Sequence, residues 1–302
     1  MKSISIVMPT LGKSSSLLDC INNFLSNALL DIKLQLVVVV DNDLNKISKD
    51  FLELINKLKL LSRIENNFFF DEIFVNRSMS GPGNARNIGL EICKFEYIHF
   101  CDDDDILYPQ NYQFIDKYKT DEDIILMRFI DSSNVMNNEI LFKDIISFRK
   151  LKCKEFLSLI DKKKFAPVQL QQFLFKRIFL KENKINFPET HLIEDIVFNL
   201  ISIYLAKDFI LINSSIYYYV NQLDSTKSLN TKTQAYDYLV GLNFLVKRLI
   251  FGIRDEIPTK ILNECITRII LMLNIRLEDC DTNLKEAKEY IFHQKKVNIF
   301  NF

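Results

Sequence analysis

The sequence is poor in the residues that interrupt regular structure: it contains six glycines and six prolines among 302 residues. Because glycine and proline are the strongest local markers of turns and loops, this scarcity predicts few long loops and a high content of helices and strands. A hydrophobic fraction of 48% is enough to build a substantial core. We therefore expect one large α/β domain, or one domain with an appendage.

An excess of charge is also lacking, since 39 basic residues are balanced by 39 acidic ones. Without the basic surplus typical of proteins that bind nucleic acid, we expect no nucleic-acid partner. The six cysteines form no Cys-X-X-Cys pair, so they are interpreted as reduced thiols and not as a metal site. The N-terminus lacks the features of a secretion signal, and the longest apolar run, residues 196–206, falls short of the roughly 18 residues that cross a bilayer. These absences predict a cytoplasmic protein.

Hydrophobic periodicity predicts strands alternating with helices over the first hundred residues. The predicted strands are residues 4–8, 34–40, 74–75 and 97–101, and the predicted helices are residues 14–30, 51–61 and 84–93. This order is typical of a doubly wound α/β sheet. Further along, strands are predicted at residues 124–130, 209–212 and 216–220, helices at 152–160 and 192–206, and helical periodicity from residue 231 almost to the end.

Polar clusters follow three of the predicted strands. Ligands of open α/β sheets bind at the carboxyl ends of the strands, so these clusters predict a single site. The clusters are Pro9-Thr10, Asp41-Asn42-Asp43 and the four aspartates Asp102 to Asp105.

The four consecutive aspartates are the strongest local signal. Adjacent carboxylates repel one another, and hard oxygen ligands at a strand end suit Mg2+ or Mn2+ shared with phosphates. The alternative is a solvated acidic turn that caps the following helix. The hydrophobic strand directly before the run favours the metal site.

Two further segments carry candidate chemistry. The sequence SGPGNARNIG at residues 80–89 predicts a tight turn before a helix whose N-terminus could bind an anion, with Arg86 on its first turn; a plain turn is the alternative. Glu194 and Asp195 lie between apolar residues at the start of a predicted helix, where partial desolvation could raise a carboxylate pKa toward that of a working base. Ordinary first-turn acids that favour the helix dipole are the alternative there.

Together these segments resemble the family 2 inverting glycosyltransferases, which have the GT-A fold. The resemblance covers residues 1–225 and includes five motifs in the family's order. The motifs are ISIVMPT, LVVVVDND, SMSGPGNARNIGLEICKFEYIHFCDDDD, FKRIFLKENKINFPETHLIEDIVF and YYYVNQLDS. It implies a Rossmann-like, mostly parallel central sheet flanked by helices, with residues 1–110 as the nucleotide-sugar-binding half and residues 111–225 as the acceptor-side half.

The resemblance also implies roles for individual residues. Asp102 and Asp104 match the DxD motif that holds the donor ribose and a Mn2+ or Mg2+ ion, and Asp195 matches the general base. One departure is Asn42, which stands where the family usually has a second aspartate after the second strand. The expected donor-binding residues are Pro9, Thr10, Asp41, Asn42, Asp43, Arg86, Asp102 and Asp103, and the expected metal ligands are Asp102, Asp104 and Asp105.

The implied function is inverting transfer of a sugar, from a UDP-sugar by preference, to a hydroxyl of a glycan or lipid-linked acceptor in capsule, lipooligosaccharide or O-antigen synthesis. The alternatives are a sugar nucleotidyltransferase and a non-catalytic glycan-binding relative. Residues 226–302 lie beyond the resemblance and predict a C-terminal helical extension that caps the core. A homodimer face, or a peripheral foothold on the inner face of the plasma membrane through residues 293–302, is the alternative for this segment.

Overall fold

A computed structural model of the protein describes residues 2–12, 32–75, 81–131, 138–166, 169–220, 231–251 and 260–279. The predicted helix at residues 14–30, the boundary near residue 225 and the segment at 293–302 lie outside the described residues. No described helix is long and apolar enough to cross a membrane.

The described strands form one mixed sheet that runs through the centre of the molecule. In sheet order, β3-β2-β1-β4 is the parallel part, and β8, β6, β9 and β5 follow, with β7 added on β9. β8 runs antiparallel to both β4 and β6, and β5 and β7 run antiparallel to β9, so only half of the eight pairings are parallel. The strands are β1 (Ser3–Thr10), β2 (Lys33–Val40), β3 (Phe68–Phe74), β4 (Tyr97–Phe100), β5 (Ile106–Leu107), β6 (Ile124–Asp131), β7 (Phe148–Lys152), β8 (Phe173–Lys176) and β9 (Asp208–Tyr219).

Helices cover both faces of this sheet, and most begin within two residues of the predicted positions. The first described helix begins directly after Ser48, because the Ser48 side chain accepts a hydrogen bond from the Phe51 N–H and caps the first turn. The described helices are α1 (Lys49–Ile64), α2 (Pro82–Ile92), α3 (Gln113–Lys117), α4 (Glu139–Phe142), α5 (Cys153–Lys163), α6 (Arg177–Glu182), α7 (Glu194–Leu205), α8 (Thr231–Phe251) and α9 (Lys260–Asp279).

β5, β7 and β8 are not among the strands predicted from the sequence, and two other strands differ from the prediction for physical reasons. β3 begins six residues earlier than expected, because it is an edge strand whose half-buried Asp71 and Glu72 hide the hydrophobic pattern. The two strands predicted at residues 209–212 and 216–220 are one continuous strand, β9. A β-bulge in its pairing with β6, around Arg128, explains the break in the pattern.

The sheet separates two hydrophobic clusters, one on each face. The C-terminal helices belong to the larger cluster, in which Leu239 and Leu245 of α8 are buried together with Val197 and Phe198 of α7. The predicted helical extension therefore shares its core with the sheet domain. In register, Thr10 of β1 lies beside Val40 of β2, and Val7 beside Phe100 of β4, so the three carboxyl ends meet at one edge.

Candidate active site

The acidic segment after β4 is held in place by the first of its aspartates. One Asp102 carboxylate oxygen accepts from Arg86 Nη2 at 2.7 Å, and the other accepts from Gln171 Nε2 at 2.6 Å. The Asp102 N–H donates to the hydroxyl of Tyr217 at 3.1 Å. Residues that are distant in the sequence therefore position the acidic segment, which follows β4 at the carboxyl edge of the sheet.

Arg86 is the link between the acidic segment and the Glu194-Asp195 pair. Its Nη1 lies 2.8 Å from Glu194 Oε1, its guanidinium lies over the Phe187 ring, and its side chain is only 5% exposed. Burial alone would lower the pKa of Arg86, but the charges of Asp102 and Glu194 raise it above its ordinary value, so the guanidinium stays charged. Both terminal nitrogens therefore have carboxylate partners within the protein, whereas the sequence suggested a phosphate ligand.

Two further aspartates of the run contact β1 and the end of β9. Thr10 at the end of β1 donates its hydroxyl hydrogen to Asp103 at 2.5 Å. Asp105 is buried, and it accepts from the Tyr217 hydroxyl at 2.5 Å and from the Val220 N–H at 2.8 Å. These bonds tie the acidic segment to β1 and to the end of β9.

Asp195 lies in the first turn of α7, one residue after the Arg86 partner Glu194. It is half-buried, and burial raises its pKa while the Arg86 charge opposes the rise. Burial and the neighbouring Asp195 charge also raise the pKa of Glu194, against the effect of Arg86. Asp195 is thus a partly exposed carboxylate with a raised pKa beside the buried Arg86–Glu194 ion pair. A carboxylate of this kind has the properties of a general base.

The segment after β2 lies at the same edge of the sheet. The Asn42 side chain donates to the Leu11 carbonyl at 2.8 Å, and its oxygen accepts from the Asp43 N–H at 2.9 Å. Asp41 and Asn42 are buried, whereas Asp43 is half exposed and forms an ion pair with Lys46 at 2.7 Å. Asn42 therefore connects the ends of β1 and β2, at the edge where the sequence predicts donor binding.

In the described part of the chain, no three His, Cys, Asp or Glu side chains converge to hold an ion. A preformed metal site made of protein ligands alone is therefore absent from these residues. Asp105, an expected metal ligand, does not form such a group with Asp102 and Asp104; its two oxygens accept from Tyr217 and Val220. Mg2+ and Mn2+ need no cage when one or two carboxylates and the substrate's phosphates complete their coordination.

The chemistry of the cluster fits a cation that arrives with a diphosphate. Burial, and next the Asp102 charge, raise the pKa of Asp104 and bring that of Asp105 to about 8. Burial also raises the pKa of Asp103, to about 6. These shifts show negative charge that is poorly compensated, which a divalent cation beside Asp102 and Asp104 would relieve.

Two residues of this network are not among the predicted site residues, although one of them lies within a motif of the sequence. Gln171 lies in a short 3-10 helix before β8, and Tyr217 lies on β9 within the tyrosine-rich motif. A third polar residue near the site, His99, is fully buried between the Tyr112 hydroxyl and the Gln171 carbonyl, at 2.6 and 2.8 Å. Burial lowers the pKa of His99 to about 4, so it is neutral and structural.

Comparison with known proteins agrees with this geometry. The model of the family described as "Glycosyl transferase family 2" matches residues 5–182. A poly(ribitol-phosphate) beta-glucosyltransferase of Bacillus spizizenii is 28% identical over 229 residues, which cover 73% of this chain and 32% of that protein. The poly(ribitol-phosphate) beta-N-acetylglucosaminyltransferase TarS of Staphylococcus aureus is 22% identical over 274 residues, covering 87% of this chain and 44% of TarS. The chain thus spans less than half the length of these two relatives.

Solved structures show the same fold. The crystal structure of S. aureus TarS 1–349 in complex with UDP-GlcNAc has a TM-score of 0.67 at 17% identity, covering 96% of this chain and 79% of that one. A mannosyltransferase from Pyrobaculum calidifontis in complex with GDP-Man and Mn2+ has a TM-score of 0.51 at 10% identity, covering 97% and 79%. These similarities confirm the α/β GT-A fold predicted from the sequence.

Proposed function

The chain belongs to glycosyl transferase family 2, and from this premise we propose that it transfers a sugar from UDP to a hydroxyl group with inversion at the anomeric carbon. The observation that carries the proposal is the position of Arg86. Its guanidinium joins Asp102, at the carboxyl end of β4, to Glu194, which adjoins Asp195 at the start of α7. Donor-binding and base candidates therefore form one connected site.

In this proposal Asp195 is the general base. The acceptor hydroxyl gives its proton to an Asp195 carboxylate oxygen while the acceptor oxygen bonds to the anomeric carbon and the bond to the diphosphate breaks. The raised pKa of Asp195 increases its proton affinity, and the nearby Arg86 charge favours its ionised form. A single displacement of this kind inverts the anomeric centre and needs no protein nucleophile.

Asp102 and Asp104 would hold the divalent cation, which when bound neutralises charge on the departing diphosphate. Arg86 acts behind these groups: it orients Asp102 and Glu194 and is not itself a phosphate ligand. Residues 1–110 would form the nucleotide half of the site and residues 111–225 the acceptor half.

The relatives guide the choice of substrates. TarS 1–349 was solved with UDP-GlcNAc, and the Bacillus relative is named a poly(ribitol-phosphate) beta-glucosyltransferase, so UDP-N-acetylglucosamine and UDP-glucose are the first donors to test. We propose a bacterial surface polymer as the acceptor, and a polyol-phosphate chain is the first one to test ahead of capsule or lipopolysaccharide glycans.

The experiment measures UDP release from each donor by the purified chain, with Mn2+ or with EDTA, and with or without poly(ribitol phosphate). Asp195→Asn should keep its affinity for UDP and lose turnover by about a hundredfold or more, because the amide cannot accept the proton. Asp50→Asn is the matched control, since Asp50 lies in the first turn of another helix, α1, and is exposed. Normal turnover in Asp195→Asn would show that the base lies elsewhere.

A further inference from the structure

The turn that precedes the proposed base has a strained backbone. Ile193, the residue before Glu194 and Asp195, has φ 60° and ψ 4°, in the left-handed region. A β-branched residue is rarely found there, because its branched side chain crowds the backbone. Surrounding structure must therefore hold this turn, and the direction in which α7 presents Asp195 depends on it.

Helix α8, the first of the two described C-terminal helices, packs against one side of the turn. A Cβ atom on Gly241 would lie 2.6 Å from Ile193 Cδ1 and 2.9 Å from Ile193 Cγ1. Glycine is unfavourable inside a helix compared with alanine, so a close approach is the physical reason for glycine at this position. The Ile193 side chain occupies the space that Gly241 leaves open.

The same face of α8 also binds the backbone of the turn. Asp237, one helical turn before Gly241, accepts a hydrogen bond from the His191 N–H at 3.1 Å. Its carboxylate also lies 3.5 Å from His191 Nδ1, and its side chain is 3% exposed. Residues four apart lie on the same face of a helix. Asp237 and Gly241 therefore contact the turn from one face of α8, and the two positions that they contact are two residues apart in the turn.

The opposite side of the turn is closed by the glycine segment at the start of α2. A Cβ on Gly81 would lie 2.9 Å from the Thr190 carbonyl oxygen, and one on Gly83 would lie 2.8 Å from the Pro188 carbonyl oxygen. The turn is thus packed between α2, which carries Arg86, and α8.

We propose that Asp237 and Gly241 are positioning residues for sugar transfer: they hold the turn at Ile193 and so orient Asp195 toward the acceptor. This inference rests on the proposed function, in which Asp195 is the base. It makes α8 part of the catalytic apparatus, beyond the expected role of a cap on the core.

The first test is Gly241→Ala in the full chain. The added methyl group displaces Ile193, and we expect kcat for UDP release to fall about tenfold or more while the KM for the donor stays within about twofold. Ile193→Val removes the Cδ1 atom at 2.6 Å from the added methyl but keeps Cγ1 at 2.9 Å, so the double variant should recover part of the lost kcat. Leu245→Val is the control. It makes a buried side chain of α8 smaller one helical turn after Gly241, and kcat should be unchanged.

The second test separates the two contacts of Asp237. Asp237→Asn keeps a side-chain oxygen that can accept from the His191 N–H, whereas Asp237→Ala removes it. We expect Asp237→Ala to lower kcat about tenfold and Asp237→Asn to retain most of the activity. An equal loss in both variants would overturn the assignment to the backbone contact.

Failure of the inference and failure of the proposed function give different results. If the wild-type chain releases UDP and folded Gly241→Ala and Asp237→Ala do so at the same kcat, the positioning role is wrong and the proposed function stands. A parallel loss of UDP affinity, measured by calorimetry, would show displacement of the whole site and would also overturn the role. If the wild-type chain releases UDP from no nucleotide-sugar, both are rejected.

Discussion

Replacing Arg86 by methionine tests whether this residue is a buried bridge or a phosphate ligand. Methionine has a similar length and no charge, so the variant removes the ion pairs to Asp102 and Glu194 without opening a large cavity. Glu194, whose side chain is 8% exposed, would then be buried without its cation. The sequence alone suggested that Arg86 contacts a phosphate of the donor, in which case its loss would affect binding and not folding.

The structure gives the size of the expected effect. Breaking a buried ion pair by removing one partner costs about 3–5 kcal/mol, because the remaining charge has lost its compensation. For a chain of this length the entropy of unfolding is about 0.6 kcal/mol per degree at the midpoint. The free energy of unfolding should therefore fall by about 3–5 kcal/mol and the thermal midpoint by about 5–8 °C.

The assay is thermal unfolding in the absence of nucleotide, followed by circular dichroism. The control is Lys152→Met, which breaks the Lys152–Asp208 ion pair, where the lysine side chain is 76% exposed. An exposed pair contributes less than about 1 kcal/mol, so this midpoint should move by less than about 2 °C. Glu194→Gln added to Arg86→Met should recover part of the loss, because it removes the uncompensated charge.

Two results would refute the reasoning. A midpoint of Arg86→Met within about 2 °C of the wild type, combined with a large loss of UDP affinity, would identify Arg86 as a phosphate ligand. Additive losses in the double variant would show that Arg86 and Glu194 do not interact.

Three further predictions concern the donor and the base. Asp104→Ala should abolish the Mn2+-dependent stabilisation by UDP in a thermal-shift assay while the variant without nucleotide melts like the wild type; unchanged stabilisation would exclude Asp104 as a metal ligand. Calorimetry with Mn2+ should show UDP as the tightest ligand among UDP, CDP, CMP and GDP, and any other order would point to Asn42 as the residue that changes base preference. Because burial raises the pKa of Asp195, kcat/KM for transfer should rise with pH through a value above the ordinary pKa of aspartate, and an acid limb below pH 4 would contradict a buried base.

The parts of the fold that the sequence predicts well are those with strong local patterns. β1, β2 and β4 are continuous hydrophobic runs buried on both faces of the sheet, and polar residues follow each of them directly. Parallel pairing brings their ends together, so the grouping of Thr10, Asn42 and Asp102 at one edge follows from local pattern and topology alone.

The parts that could not be predicted depend on contacts between distant segments. Gln171 is separated by 69 residues from Asp102, and Tyr217 by 112 residues from Asp105. Gln171 has no unusual local pattern, and the tyrosine-rich motif that contains Tyr217 does not reveal its partner. The strand β8 has only four residues, too few to show a period, yet its insertion between β4 and β6 makes the sheet mixed. The support of the base by α8 is equally invisible, because a glycine inside a helix indicates close packing only when its neighbour is known.

The burial of the motif residues explains why the motifs predict the reaction and not the substrate. Arg86, Asp105 and Glu194 are buried and bind other protein groups, so a change at any of them leaves a charge or a hydrogen-bonding group without its partner inside the site. Asp43 is half exposed and forms an exposed ion pair with the neighbouring Lys46, so it can change at little cost to the fold. Residues of the first kind are needed by any sugar transferred on this scaffold, whereas residues of the second kind can differ between donors. Five motifs made mainly of the first kind therefore indicate inverting transfer, and the choice of sugar and acceptor has to be measured.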